Sequence, residues 1–475
     1  MTDAEKPSGR IRVAIIGSGP SGFYAADHLL KQEAPRIHVD MYERLPTPFG
    51  LVRGGVAPDH AKIKSVTKLY TRIAARERFN FFGNIEFGCD LHRADLSRHY
   101  HGIIYAVGAQ TDKKLGIPGE DLHNSYAATQ FVGWYNGHPD YRHHNFDLTG
   151  VRRVAVIGVG NVAMDVARIL ARTGEELYQT DIADYALAAL QDSEIEELIV
   201  LGRRGPAQAA FTHPEIKELG EMADADIAVA RDDVTLDELS IEDLERSGDR
   251  AALRNVDILK SYAERGLRGK SRRIVMRFLA SPVEIIGEDK VEAIKIVRNE
   301  LYRNEQGRLR PRATDEYDIL PVDMVFRSVG YRGVALPDVP FYDRWGTIPN
   351  ERGRVLTRHG GREYLAGNYV VGWIKRGPTG IIGTNKPDAI ESANLFLEDL
   401  GAQKALKPCD TSSASILKLI RSRQPNYVTF ADWEKLDAIE RQRGAAAGRS
   451  RVKFTRVEDM LDALGKSSEW RPAGD

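Results

Sequence analysis

Charges at the ends of apolar runs are the first residues in this sequence that could do chemistry. The run EELIVLG is followed by two adjacent arginines, Arg203 and Arg204. A planar guanidinium offers paired, charge-assisted hydrogen bonds to phosphate oxygens, so two of them at the mouth of a strand can hold a phosphate. An earlier run, IHVDMYE, ends on a carboxylate, Glu43. A carboxylate there accepts hydrogen bonds from ribose hydroxyls and repels a phosphate. Ahead of each run lies a small-residue turn: Gly17, Gly19 and Gly22 before the first, Gly158, Gly160 and Ala163 before the second.

These residues work only if strands and helices position them. IRVAIIGSGPSGFYAADHLL is an apolar run, a glycine turn and an amphipathic pattern, which predicts strand, turn and helix. The G-x-G-x-x-G spacing gives one glycine to the tight turn, one to close approach of a pyrophosphate and one to helix packing. Unpaired N–H groups and the positive end of the helix dipole then face the phosphates. Glu43 lies 21 residues beyond Gly22, close to the roughly 20 at which the ribose-binding acid is expected. VRRVAVIGVGNVAMDVARIL repeats the pattern, with QTDIADYALAAL as an extra helix before the next strand. Arg203 and Arg204 take the place that Glu43 holds in the first copy. The first site therefore calls for an unphosphorylated adenosine, FAD or NAD, and the second for NADP.

Length and composition frame this reading. A chain of 475 residues implies about two domains, and 67 basic against 68 acidic side chains leave no global field for nucleic acid or an anionic membrane. Cys89 and Cys409 cannot form a CxxC pair or an iron–sulfur site, and no zinc spacing or Ser/His/Asp triad stands out, so no metal is expected. No apolar run reaches the roughly 20 residues of a membrane span. The first strand pattern begins close to the start, so a cytoplasmic protein without a signal peptide is expected. The apolar segments IIYAVGAQ and MVFRSVGY resemble each other and mark where the chain passes between domains. The expected fold is α/β, with two Rossmann-like dinucleotide-binding domains, the NADP domain inserted into the FAD domain: FAD-binding 1–111, NADP-binding 112–329, FAD-binding with a C-terminal tail 330–475. RGAAAGRSR is expected to be a flexible surface turn, and SSEWRPAGD to fray.

The stretches GSGPSGFYAADHLL, PTPFGLVRGGVAPDH, FVGWYNGHPD, GVGNVAMDVARIL, GRRGPAQAAFT and GWIKRGPTGIIGTN, with the tail FADWEKLDAIE, resemble the adrenodoxin reductase type of ferredoxin–NADP reductase along nearly the whole chain. The run from Gly372 to Asn385 departs from the glycine-aspartate ending of many other two-dinucleotide flavoproteins. The resemblance implies FAD contacts at Ser21, Gly22, Glu43, Leu51, Ile85 and Trp373 and along Gly380, Ile381 and Ile382. It implies NADP contacts at Gly160, Asn161, Val162, Ala163, Arg203, Arg204 and Glu215, with Gly380 where the two rings face each other. Stacked rings leaving no space for a side chain would explain a glycine there.

Hydride transfer between stacked rings needs orientation more than side-chain chemistry. The candidates for proton handling are His60 and Glu218, one helical turn beyond Glu215. Alternatively Asp59 caps the helix HAKIKSVTKLYTRIAARE and His60 merely sits in its first turn. The function expected is transfer from NADPH to FAD and then singly to a [2Fe–2S] or similar ferredoxin, by a monomer that docks its partner transiently. A flavin monooxygenase and a non-enzymatic nucleotide sensor are the alternatives, while the missing cysteine pair excludes a disulfide reductase. Ferredoxins served by this type are acidic, and the expected docking patch is ALRNVDILKSYAERGLRGKSRR, with Arg254, Lys260, Arg265, Arg268, Lys270, Arg272 and Arg273.

Overall fold

The computed structural model describes residues 10–467. Of the tail SSEWRPAGD only Ser467 falls among them. The chain divides into two compact units, one of Met1–Val56, His60–Thr111 and Tyr331–Asp475, the other of Ala57–Asp59 and Asp112–Gly330.

The first unit is built on a seven-stranded sheet. Ile11–Ile16 lies inside it, at the middle of its five parallel strands, paired with Ile37–Tyr42 on one side and Gly102–Tyr105 on the other. Phe79–Phe82 extends one end, and Tyr364–Val370 continues in parallel beyond Gly102–Tyr105. The central strand buries both faces, as parallel sheets do. Val13 and Ile15 join a core with Phe23, Leu29 and Trp433, while Ala14 and Ile16 join a second core with Tyr105, Val370 and Ile420.

The second unit repeats the plan with a six-stranded parallel sheet. Arg153–Ile157 lies between Glu197–Leu201 and Met324–Arg327. Val154 and Val156 face one core, Ala155 and Ile157 the other. The expected extra helix is there as Asp184–Gln191, preceded by a short helix Gly174–Tyr178. A three-stranded antiparallel sheet of Ala280–Ile286, Ala293–Arg303 and Leu309–Pro321 completes this unit.

Two local expectations are corrected. RGAAAGRSR is not a flexible turn: the helix Phe430–Ala446 runs through its first half, Arg449 is buried, and a Cβ on Gly444 would overlap the backbone of Arg451. The chain folds back there because the fully buried Glu440 carboxylate takes hydrogen bonds from Arg451 Nη1 at 2.7 Å and the Phe454 N–H at 2.9 Å. Nor does Asp59 cap a helix. His60 is the residue ahead of the short helix Ala61–Lys64, because the Asp59 carboxylate is drawn off by Arg168 and Arg172, each at 2.7 Å.

Candidate functional site

The first glycine turn is held by backbone packing. Gly17 has φ +100°, and a Cβ there would lie 2.6 Å from the Ala106 carbonyl oxygen; a Cβ on Gly22 would lie 2.5 Å from that of Gly17. Gly19 is different, because a Cβ on it would meet nothing within 4 Å. It precedes the helix Pro20–Leu30 without a side-chain cap. Among the described residues nothing accepts the N–H groups of Ser21 and Gly22. An open side and free donors at a helix N-terminus fit a pyrophosphate.

Around this turn gather most of the residues expected to touch FAD. The Glu43 carboxylate accepts from Ser18 N–H at 3.0 Å and Ser18 Oγ at 2.6 Å, and the Ile85 N–H bonds the Glu43 carbonyl at 2.9 Å. The Ile85 side chain is buried, which leaves its backbone for any ligand contact. The Phe49 N–H reaches the Ser18 carbonyl at 3.1 Å, and Gly50 packs on Gly19, so Leu51 begins its short helix, Leu51–Gly54, beside the turn. A Cβ on Gly372 would overlap Ser21 Oγ, which sets Trp373 next to the same helix start. The Trp373 ring lies against Tyr331, centroids 5.3 Å apart. Asn385 Nδ2 ties the Ile381 and Ile382 carbonyls at 3.3 and 3.2 Å. Gly380 has φ +80°, and a Cβ there would overlap Thr384. Its own turn therefore requires glycine, whatever ring comes near.

The second turn copies the first. A Cβ on Gly158, φ +129°, would overlap the Ser328 carbonyl oxygen, while Gly160 is open within 4 Å. Gly160 precedes the helix Asn161–Ala171, again without a side-chain cap. Among the described residues nothing accepts the N–H groups of Asn161, Val162 and Ala163. Asn161 Oδ1 takes the Thr212 N–H at 2.8 Å and so fixes the loop that follows the arginines. The Ala163 side chain is fully buried, replacing the third glycine.

Strand register refines the place of the arginines. Ile16 pairs with Tyr42 and Ile157 with Leu201, and the Gly17 and Gly158 N–H groups bond the Tyr42 and Leu201 carbonyls at 2.8 and 2.9 Å. The counterpart of Glu43 is thus Gly202, and Arg203 and Arg204 stand one and two residues further. The cause is local: a Cβ on Gly202 would lie 3.0 Å from a Val159 methyl, and Val159 occupies the position of Ser18. Arg203 and Arg204 have no ion pair among the described residues. Burial, with Arg203 and Arg310 nearby, holds the Arg204 guanidinium below its ordinary value, the mark of cations gathered without an acid.

Glu215 and Glu218 share the helix His213–Leu219. Glu215 Oε2 accepts from Arg168 Nη1 at 2.9 Å, and Glu218 lies 3.9 Å from Arg168 Nε. Arg168 is fully buried on the helix Asn161–Ala171 and also binds Asp59 and Asp165. Burial alone would lower its guanidinium, but Asp165, Asp59 and Glu215 outweigh that and raise it. Sequence reasoning missed Arg168 and Ser18. Ser18 had a signal in its place inside the glycine motif, whereas Arg168 had none.

Residues 11–200 match the family described as pyridine nucleotide-disulphide oxidoreductase, a stretch holding the single cysteine Cys89. The NADPH-ferredoxin reductase FprA of Mycobacterium tuberculosis is 47% identical over 457 residues, 94% of this chain and 98% of that protein. This chain belongs to the adrenodoxin reductase-type ferredoxin–NADP reductases. The mitochondrial NADPH:adrenodoxin oxidoreductase of Arabidopsis thaliana is 38% identical to the reductase, over 95% of both chains. A solved structure of Mycobacterium tuberculosis FprA in complex with NADPH superimposes with a TM-score of 0.90, at 45% identity, covering 96% of the reductase and 100% of that chain. No helix among the described residues is long and apolar enough to cross a membrane.

The expected docking patch is thinner than its sequence. Arg265 donates to the Gly220 carbonyl at 3.3 Å, Arg272 to that of Arg172 at 2.8 Å, Lys270 to that of Met222, and Arg273 pairs with Glu197. Arg254, Lys260, Arg268 and Arg273 remain exposed. A helix ending at Arg265 and a strand starting at Arg272 leave three of the seven cations, Arg265, Lys270 and Arg272, partly buried.

Proposed function

We propose that the reductase carries electrons from NADPH to a ferredoxin, with FAD in the first cradle and the phosphorylated nucleotide in the second. When bound, FAD accepts two electrons together and releases them singly, which joins a two-electron donor to a one-electron acceptor. The observation that carries this reading is the contrast at the two strand ends. Glu43 is held by Ser18, as suits a ribose-binding acid, and Arg203 and Arg204 have no ion pair among the described residues, with burial and the neighbouring cations lowering the Arg204 guanidinium.

In this reading Gly17, Gly19, Ser21 and Gly22 cradle the FAD pyrophosphate, and Glu43 takes the ribose hydroxyls. Leu51, Ile85, Trp373 and the backbone of Gly380, Ile381 and Ile382 line the rest. Gly158, Gly160, Asn161, Val162 and Ala163 receive the pyrophosphate of NADPH, and Arg203 and Arg204 its 2′-phosphate. Glu215, braced by Arg168, contacts the nicotinamide half, and His60 and Glu218 handle protons. The acceptor is a [2Fe–2S] or similar ferredoxin bound transiently, as the names of the relatives support. Each cradle is complete within one chain, which supports a working monomer. Cys89 and Cys409, not joined in a disulfide, fit a reducing cytoplasm. The relatives reported above are named as reductases, which leaves the monooxygenase and sensor readings without support.

The test is coenzyme choice. Replacing Arg203 and Arg204 together by alanine should raise KM for NADPH while NADH is nearly unaffected. With about 1.5–3 kcal/mol for each charge-assisted hydrogen bond, the preference should fall roughly ten- to thousandfold. An unchanged ratio of kcat/KM for the two coenzymes would put the phosphate elsewhere.

A further inference from the structure

One buried side chain outside both glycine turns reaches the loop that carries the two arginines. Asn299 lies in the strand Ala293–Arg303 of the antiparallel sheet and is 3% exposed. Its Nδ2 donates to the Arg203 carbonyl at 2.8 Å and to Ser281 Oγ at 2.8 Å. A carbonyl only accepts, so the amide nitrogen must face it, and both amide hydrogens are used. Asparagine is depleted in strands, and this one spends a donor outside its own sheet.

The bond from Asn299 is one of three on consecutive residues. The Ala280 N–H donates to the Gly202 carbonyl at 2.9 Å and the Leu279 N–H to the Arg204 carbonyl at 3.1 Å. Leu279 has φ +52°, a left-handed conformation unfavourable for a residue with a Cβ. It is fixed from its other side as well, since the Asn299 N–H donates to the Leu279 carbonyl at 2.7 Å. Pairing with the strand Leu309–Pro321 slips between Val297 and Asn299, the kind of irregularity that re-aims a side chain. Asn299 therefore reaches Arg203 directly, through its amide, and Arg204 through Leu279.

Regular strand pairing ends at Leu201, so the two arginines stand on a loop. Guanidiniums on adjacent residues repel each other, and Arg310 is near enough to Arg204 to add to this. A free loop would relieve the repulsion by turning the cations apart. Fixing its backbone in advance removes that freedom and lowers the cost of ordering when an anion arrives. The other end of the loop is held separately: Asn255, 4% exposed, donates from Nδ2 to the Phe211 carbonyl at 2.9 Å. Asn255 is thus a matched buried amide on the same loop, away from the arginines.

We propose that Asn299 is a positioning residue for coenzyme choice, presetting the backbone of Arg203 and Arg204 so that both guanidiniums meet the 2′-phosphate of NADPH. This rests on the reading that those arginines receive the phosphate.

The test uses the FAD-loaded full-length protein, titrated calorimetrically with 2′-phospho-AMP and with AMP, and assayed with NADPH and NADH. Asn299→Ala should weaken 2′-phospho-AMP about tenfold while AMP changes by no more than about twofold. It should raise KM for NADPH with kcat unchanged. Ser281→Ala, which takes away the second acceptor that orients the amide, should weaken 2′-phospho-AMP about threefold. Asn255→Ala should lower the melting temperature as Asn299→Ala does, yet keep the ratio of the two affinities within about twofold of wild type. Added to Arg203→Ala with Arg204→Ala, Asn299→Ala should change neither affinity further, because no guanidinium is left to place. If Asn299→Ala does not fold, Ser281→Ala decides. A wild-type ratio in the deciding variant overturns the assignment and leaves the arginine reading standing. Equal weakening of both ligands overturns it too, since Asn299 would then support the cradle as a whole. A wild-type protein that binds 2′-phospho-AMP no better than AMP overturns both.

Discussion

At the residue scale, the glycines of one motif answer to different physics, and substitutions can separate them. Gly19 is open, so Gly19→Ala should fold with an unchanged melting temperature while FAD binding weakens by an order of magnitude or more, because the methyl stands where the pyrophosphate must approach. Gly22→Ala places its Cβ 2.5 Å from the Gly17 carbonyl oxygen. It should lower the melting temperature of the FAD-free protein, since backbone must move. Calorimetry of the FAD-free variants beside fluorescence titration with FAD distinguishes the two. A Gly19→Ala protein with wild-type FAD affinity would show that the pyrophosphate does not pass there. The spacing of these residues was legible in the sequence because the motif is local. The offset of the arginines was not, because it depends on strand register and on the Val159 methyls meeting Gly202.

At the scale of elements, the helix Phe430–Ala446 braces the first cradle from a distance that no sequence window spans. Arg53, in the helix Leu51–Gly54, forms a two-pronged pair with Glu440 at 2.9 and 2.5 Å, 387 residues away, and lies over the Trp433 ring at 5.0 Å. Burial would raise the Glu440 carboxyl, but Arg53, Arg451 and the Phe454 N–H outweigh it and hold it below its ordinary value. A carboxyl lowered in the folded state adds stability above its unfolded pKa and loses it as pH falls through the folded one. Stability of the first unit should therefore drop on acidification below the usual carboxylate range, and Glu440→Gln should remove that part of the slope. Glu440→Ala, leaving Arg53 without its acid while Arg451 keeps Asp437 at 2.7 Å, should cost about 3 kcal/mol, as denaturant unfolding would measure. A flat pH response in the wild type would mean that other carboxylates carry the acid sensitivity. The expected flexible turn fails for the same reason. Gly, Ala, Arg and Ser between residues 443 and 451 read locally as a loop, while a buried carboxylate from the preceding helix organises them.

At the scale of the molecule, each unit owns its cores, and the second is continuous apart from Ala57–Asp59. Residues 112–330 expressed alone should fold and bind 2′-phospho-AMP more tightly than AMP, by roughly ten- to a hundredfold from the charge-assisted contacts of the arginines. Equal affinity for the two ligands would mean that the arginines do not read the phosphate. That fragment lacks Asp59, which binds Arg168 and Arg172, so it should also be less stable than the same unit in the full chain. The doubled strand–turn–helix and the inserted helix could be read from the sequence because hydrophobic periodicity and turn chemistry are local signals. The Arg168 cluster could not, since its acids come from separate segments at 59, 165 and 215.

The matched positions Ser18 with Glu43 and Val159 with Gly202 make coenzyme choice an epistatic trait. Converting the second cradle to NADH by changing Arg203 to glutamate would place an acid one residue too far along the strand and without a hydroxyl to aim it. A carboxylate put at Gly202 instead would meet the Val159 methyls unless that valine became serine first. If the two arginines read the phosphate as proposed, a reversed preference therefore calls for a pair of changes made together, at Gly202 and at Val159.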